Sequence, residues 1–74
     1  MKRPIATRIY PLTDDPQPHV ARDTLYRIAP GRYAVTYIAS DPDEAPYSTM
    51  MSEREAAAWL GSQVDELHAP GPTR

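Results

Sequence analysis

Cysteine is absent from the 74 residues, and so is phenylalanine. Without thiols the chain has no disulfide, no thiolate nucleophile and no Cys-based zinc centre. Without Phe, the aromatic contribution to a core rests on five Tyr and the single Trp59. Lysine is nearly missing as well: seven of the eight cations are Arg, and they are scattered, so no basic block argues for nucleic acid. A dominant sign of charge is lacking too, because the net value of −2 is too small to select a partner. No apolar run approaches the roughly 20 residues that span a bilayer. The charged Met-Lys-Arg-Pro start leads into no apolar stretch, so a signal peptide is not expected. The expectation is a soluble, cytoplasmic protein with no membrane partner.

Glycine is scarce, at three residues, whereas proline is frequent, at nine. Seventy-four residues suit one domain, 1–74, near the lower limit at which a single core folds unaided. The aliphatic candidates for that core are Ile5, Ile9, Leu12, Val20, Leu25, Ile28, Val35, Ile38, Leu60, Val64 and Leu67. So small an unstapled core leans toward a protein that works against a partner.

What is present divides into strand and helix signals. Residues 5–12, 24–29 and 33–39 are rich in β-formers and read as strands. Pro11 lacks an N–H and belongs at a strand end or edge. Thr13 to Asp23, with Asp-Asp-Pro-Gln-Pro-His, reads as a long loop. Ala29-Pro30-Gly31-Arg32 suits a type II turn, in which Gly takes the positive φ. Such a turn twists against a tight hairpin, so a loop wider than two residues is expected. Pairing Ile28 with Tyr33 and Tyr26 with Val35 gathers Tyr26, Ile28, Tyr33, Val35 and Tyr37 on one face. Tyr47 to Met50 can add a short edge strand.

The clearest local signal is Met51-Ser52-Glu53-Arg54-Glu55 before Ala-Ala-Ala-Trp-Leu. Ser52 and Glu55 have capping-box spacing, and Met51 can staple onto Ala56. A helix over 53–68 then presents Ala56, Ala57, Trp59, Leu60, Val64 and Leu67 on one side. Gly61 falls inside it, and residues 69–74 read as a disordered tail. The expected fold class is α+β: a three-stranded antiparallel sheet with one C-terminal helix on one face, βββα.

Chemistry is thinly marked. Asp41, Asp43 and Glu44 alternate like part of a calcium loop, but the central Gly and the distal Glu are missing, so no metal site is expected. His19 and His68 have no Ser or Cys motif beside them, so neither catalytic residues nor a cofactor are expected. His68 would lie at the helix C-terminus, where the dipole favours it. The outer sheet face would carry Leu25, Arg27, Arg32, Ala34, Thr36 and Ile38, with Arg8 and Tyr10 joining from the first strand. Arg8, Tyr10, Arg27 and Arg32 would then form a platform for single-stranded nucleic acid. The competing surface is acidic: Asp41, Asp43 and Glu44, with Asp65 and Glu66 placed against the dipole in the last helical turns. The functional expectation is a non-enzymatic module that covers a surface of a larger protein or ribonucleoprotein complex. Its size and acidity suit a phage or mobile-element inhibitor of the anti-CRISPR kind. The alternative is a small nucleic-acid-binding regulator.

Overall fold

The computed structural model of the chain describes residues 2–68, so the expected tail lies outside the described residues. Among them an antiparallel sheet carries one helix, so the α+β class holds, but the sheet has five strands and not three. β1 (Arg3–Pro11), β2 (Val20–Ala29) and β3 (Arg32–Ala39) form a meander, and β4 (Tyr47–Ser52) adds beside β3. The helix α1 (Glu53–Gly61) follows without a break, and the short β5 (Glu66–Leu67) closes the order β4-β3-β2-β1-β5. The helix is therefore not the C-terminal element.

Two bulges set the register. In the β2–β3 hairpin Arg27 faces Tyr33 and Ala29 faces Arg32, so Ile28 is the extra residue. The turn is the two-residue Pro30-Gly31, with Gly31 at φ +75°, and the bulge takes up the twist that a wider loop was expected to absorb. Downstream, Leu25 faces Val35 and Tyr26 faces Ala34, one step away from the expected pairing. That step moves every side chain of β2 to the opposite face. A second shift, between Pro4 and Ala6, resets β1 against β2.

The helix covers Leu25 and Val35, with Ala56 buried on its inner side and Ile5, Tyr33, Met51 and Trp59 packed around them. Leu25, expected on the outer face, is 0% exposed beneath the helix. The strand β2 begins at Val20, inside the expected loop, because Ala21, Asp23 and Leu25 alternate as buried positions. The helix begins as the capping box dictates: Glu55 N–H donates to Ser52 Oγ at 3.2 Å, and Ser52 N–H donates to Glu55 Oε1 at 2.8 Å. It ends at Gly61, seven residues before the expected His68. Ser62 turns extended at ψ 173°, its N–H and hydroxyl both on the Trp59 carbonyl. Two acids in the last turns would oppose the macrodipole, and leaving the helix first removes that cost.

Residues 62–68 run back along the outer side of β1 instead. Asp65 N–H donates to the Thr7 carbonyl at 2.9 Å, and His68 N–H donates to the Ile5 carbonyl at 2.7 Å. The Asp65 carboxylate accepts the Ile9 N–H.

Candidate functional site

Cross-strand pairs share a face, so the ladder assigns each surface residue. On the helix-bearing face, the row Arg8–Asp23–Tyr37–Tyr47 lies beyond the helix end. Arg8 is held there three ways. Its guanidinium stacks over the Trp59 ring at 4.8 Å, donates to Ser62 Oγ at 2.9 Å and stands 3.8 Å from the Asp23 carboxylate. Tyr37 and Tyr47 stack with centroids 4.9 Å apart, and the Tyr37 hydroxyl donates to Glu44 Oε1 at 3.1 Å. Local desolvation, then the bond to the Glu44 carboxylate, pushes the Tyr37 phenol up to about 12. Desolvation and the Asp23 carboxylate raise Tyr10 in the same sense.

The expected nucleic-acid platform is therefore not assembled. Arg8 and Tyr10 lie on the helix-bearing face, and Arg8 is already engaged. Arg27 pairs with Arg3 and Tyr33, whereas Arg32 faces Ser52 on the opposite side of the sheet. A basic corner that the sequence reading missed does exist at the β2–β3 hairpin end. Arg3 and Arg27 line a shallow groove there with Ile28, Ala29 and Pro30, and Lys2 Nζ sits 4.7 Å over the Tyr26 ring. The expected first strand begins at residue 5, which leaves out Arg3 and the register shift between Pro4 and Ala6 that sets Arg3 opposite Arg27.

The other sheet face has no covering layer among the described residues. Its central row is hydroxylic, Thr7–Thr24–Thr36–Ser48, with Thr7 and Thr24 oxygens 3.3 Å apart and Thr36 and Ser48 oxygens 3.0 Å apart. His68 Nε2 ends this row 2.7 Å from Thr7 Oγ1, so His68 caps a strand edge and not a helix. Above the hydroxyls lies Ile9–Arg22–Ile38, and below them Pro4–Tyr26–Ala34–Met50. Ile9 and Ile38 are each 47% exposed and Met50 56%. Of the residues expected to point outward, Arg32, Ala34, Thr36 and Ile38 lie on this face, whereas Leu25, Arg27, Arg8 and Tyr10 lie on the other.

The two acidic sets are not brought together. Asp41, Asp43 and Glu44 shape the β3–β4 turn, where Asp43 N–H donates to Asp41 Oδ1 at 2.9 Å. Asp65 and Glu66 lie beside β1, at the other edge of the sheet. Four strand spacings separate those edges, roughly 19 Å at ~4.8 Å each. Among the described residues, no group of three or more His, Cys, Asp or Glu is placed to hold a metal ion. No helix among them is long and apolar enough to cross a membrane. Compared with family models, with curated proteins and with solved structures, the chain matches none.

Proposed function

We propose that this protein is a non-enzymatic protein-binding module that covers a surface of a larger macromolecule. The uncovered sheet face carries the reading, with Ile9, Ile38 and Met50 exposed around a hydroxyl row. Exposed aliphatic side chains interleaved with short hydroxyls suit a protein surface. Arg22, Tyr26 and Arg32 share this face but stand in separate rows, with Lys2 already over the Tyr26 ring, so they offer no continuous stacking track for a nucleic acid. Asp41, Asp43 and Glu44 stand in the β3–β4 turn at the end of the sheet, with Glu44 turned to Tyr37 on the helix-bearing side, and their charge steers a basic partner at longer range. Asp65 and Glu66 are the lesser part of the acidic set, since the Asp65 carboxylate is occupied by the Ile9 N–H. A phage or mobile-element inhibitor of the anti-CRISPR kind is the form that the size and acidity suit.

The test is affinity capture of one stoichiometric protein partner, with three variants compared. Ile38→Glu should weaken the complex at least about tenfold, and the Asp43→Lys/Glu44→Lys double variant should slow association. Arg27→Glu should change neither. Binding of single-stranded oligonucleotides that falls steeply with salt and vanishes in Arg27→Glu would transfer the reading to the basic corner.

A further inference from the structure

The two outer strands of the sheet are treated very differently. β1 has Pro4 and Pro11 near its ends and a bulge between Pro4 and Ala6. Its outward carbonyls at Ile5 and Thr7 accept from His68 and Asp65, and its outward N–H at Ile9 donates to the Asp65 carboxylate. β4, Tyr-Ser-Thr-Met-Met-Ser, has no proline, no charge and no register shift against β3. Those are the usual devices that blunt an exposed edge, and β4 lacks them.

The ladder fixes which groups β4 leaves free. On β1, Ile5, Thr7 and Ile9 turn their backbone outward, so Ala6, Arg8 and Tyr10 bond toward β2. Alternation through β2 and β3 then makes Tyr37–Tyr47, Val35–Thr49 and Tyr33–Met51 the bonded pairs. The N–H and C=O of Ser48 and Met50 consequently point away from the sheet. The Ser52 N–H, next in that series, agrees: it donates to the Glu55 side chain and not to β3.

Charge selects the occupant. From Arg32 to Arg54 the two cations stand at the helix end of the hairpin, with Arg32 opposite Ser52. Asp41, Asp43 and Glu44 gather at the turn that leads into β4, and Glu53 follows the strand. A second copy's β4 would bring the same anionic hairpin alongside, and like charges oppose it. A basic strand is attracted.

We infer that β4 is a docking edge that accepts one extended, Lys- or Arg-bearing segment of a partner protein as a sixth strand, bonded to the backbone of Ser48 and Met50. This rests on the protein-binding reading and names its mode. Backbone pairing provides the attachment, as in β-strand addition generally, and side chains beside Met50 and Tyr47 provide selectivity.

The experiment titrates the isotopically labelled full chain with a capped peptide, Lys-Lys-Thr-Val-Thr-Val-Thr-Lys-Lys, and with its Glu-flanked counterpart. The Lys peptide should shift the Ser48 and Met50 amides and slow their hydrogen exchange. The Thr49 amide, already bonded to β3, should keep its protection. The Glu peptide should bind at least about tenfold more weakly, and added salt should narrow that gap. Met50→Pro removes an outward donor without touching the β3 ladder and should abolish the effect. A Lys peptide with its alternate backbone nitrogens methylated makes the same test with the protein unchanged. Equal binding of both peptides, shifts located elsewhere, no binding at all, or pairing of β4 with a second copy overturns the proposal. Partner binding that survives Met50→Pro but is lost in Ile38→Glu removes the docking edge and leaves the protein-binding reading intact. Absence of any protein partner, with peptide still adding at β4, removes that reading and leaves the edge.

Discussion

Among the described residues Leu25 is the largest side chain with no exposure, lodged between Val35 and Ala56. Trp59, which its size would place at the centre of the core, is only half-buried and spends one ring face on Arg8. Cavity cost follows burial, so Leu25→Ala should cost about 3 kcal/mol and Trp59→Ala about 2 kcal/mol. Chemical denaturation of both variants checks the order, and a larger loss from Trp59→Ala would contradict this packing. Tyr37 provides a pH signature of the second surface. Its phenol is held near 12 against an ordinary 10, so folding favours the protonated form. That contribution is complete below pH 10 and is lost as the pH rises toward about 12. Tyr37→Phe should flatten the fall in stability across that window. Glu44→Gln, which removes the accepting carboxylate, should bring part of the tyrosinate absorbance to lower pH. An unchanged alkaline profile in both variants would mean that the phenol is not held.

At the scale of the element, the helix start is the best-determined junction in the chain. Its two hydrogen bonds are reciprocal, so each single change at Ser52 or Glu55 breaks one motif. Ser52→Ala should cost about 1 kcal/mol and Glu55→Ala somewhat less, with the double variant costing less than the sum. Strict additivity in denaturant titrations would show two independent bonds. The cap was legible because all its atoms lie within four residues. The helix end was not, because the apolar spacing of Val64 and Leu67 continues past Gly61 although neither residue stays helical. What draws that segment away is the edge of β1, about 60 residues earlier in the chain. The same separation hid the start of β2. Asp23 reads as a loop residue until Arg8 from β1 is set beside it. The register failed for a subtler reason: a bulge at Ile28 inverts the faces without disturbing the local alternation of residue types.

Across the whole molecule, charge and edge protection run in the same direction. Residues 1–13 hold Lys2, Arg3 and Arg8 and no acid, whereas residues 33–53 hold four acids and no cation. Apart from Asp65 and Glu66, which β5 brings to it, the β1 side is the basic one and the turn leading into β4 the acidic one. A β1 edge stripped of β5 would therefore attract the β4 edge of a second copy. Such a contact is head-to-tail, and head-to-tail contacts that do not close grow into open chains. β5, with Asp65 and His68, occupies the outward groups of β1 that such a contact would need. Asp65→Leu removes the carboxylate that holds the Ile9 N–H and adds a side chain that cannot replace it. The variant should lose about 1.5 kcal/mol of stability, the low end for a hydrogen bond to a charged group because this one is exposed. It should also form assemblies that lengthen with concentration and shrink with salt, followed by sedimentation velocity. Met50→Pro in the same chain should return it to single copies, because one of the two edges is then closed. An Asp65→Leu variant that stays single at every concentration, or that stops at a closed dimer, would show that β5 does not stand between the basic and acidic edges.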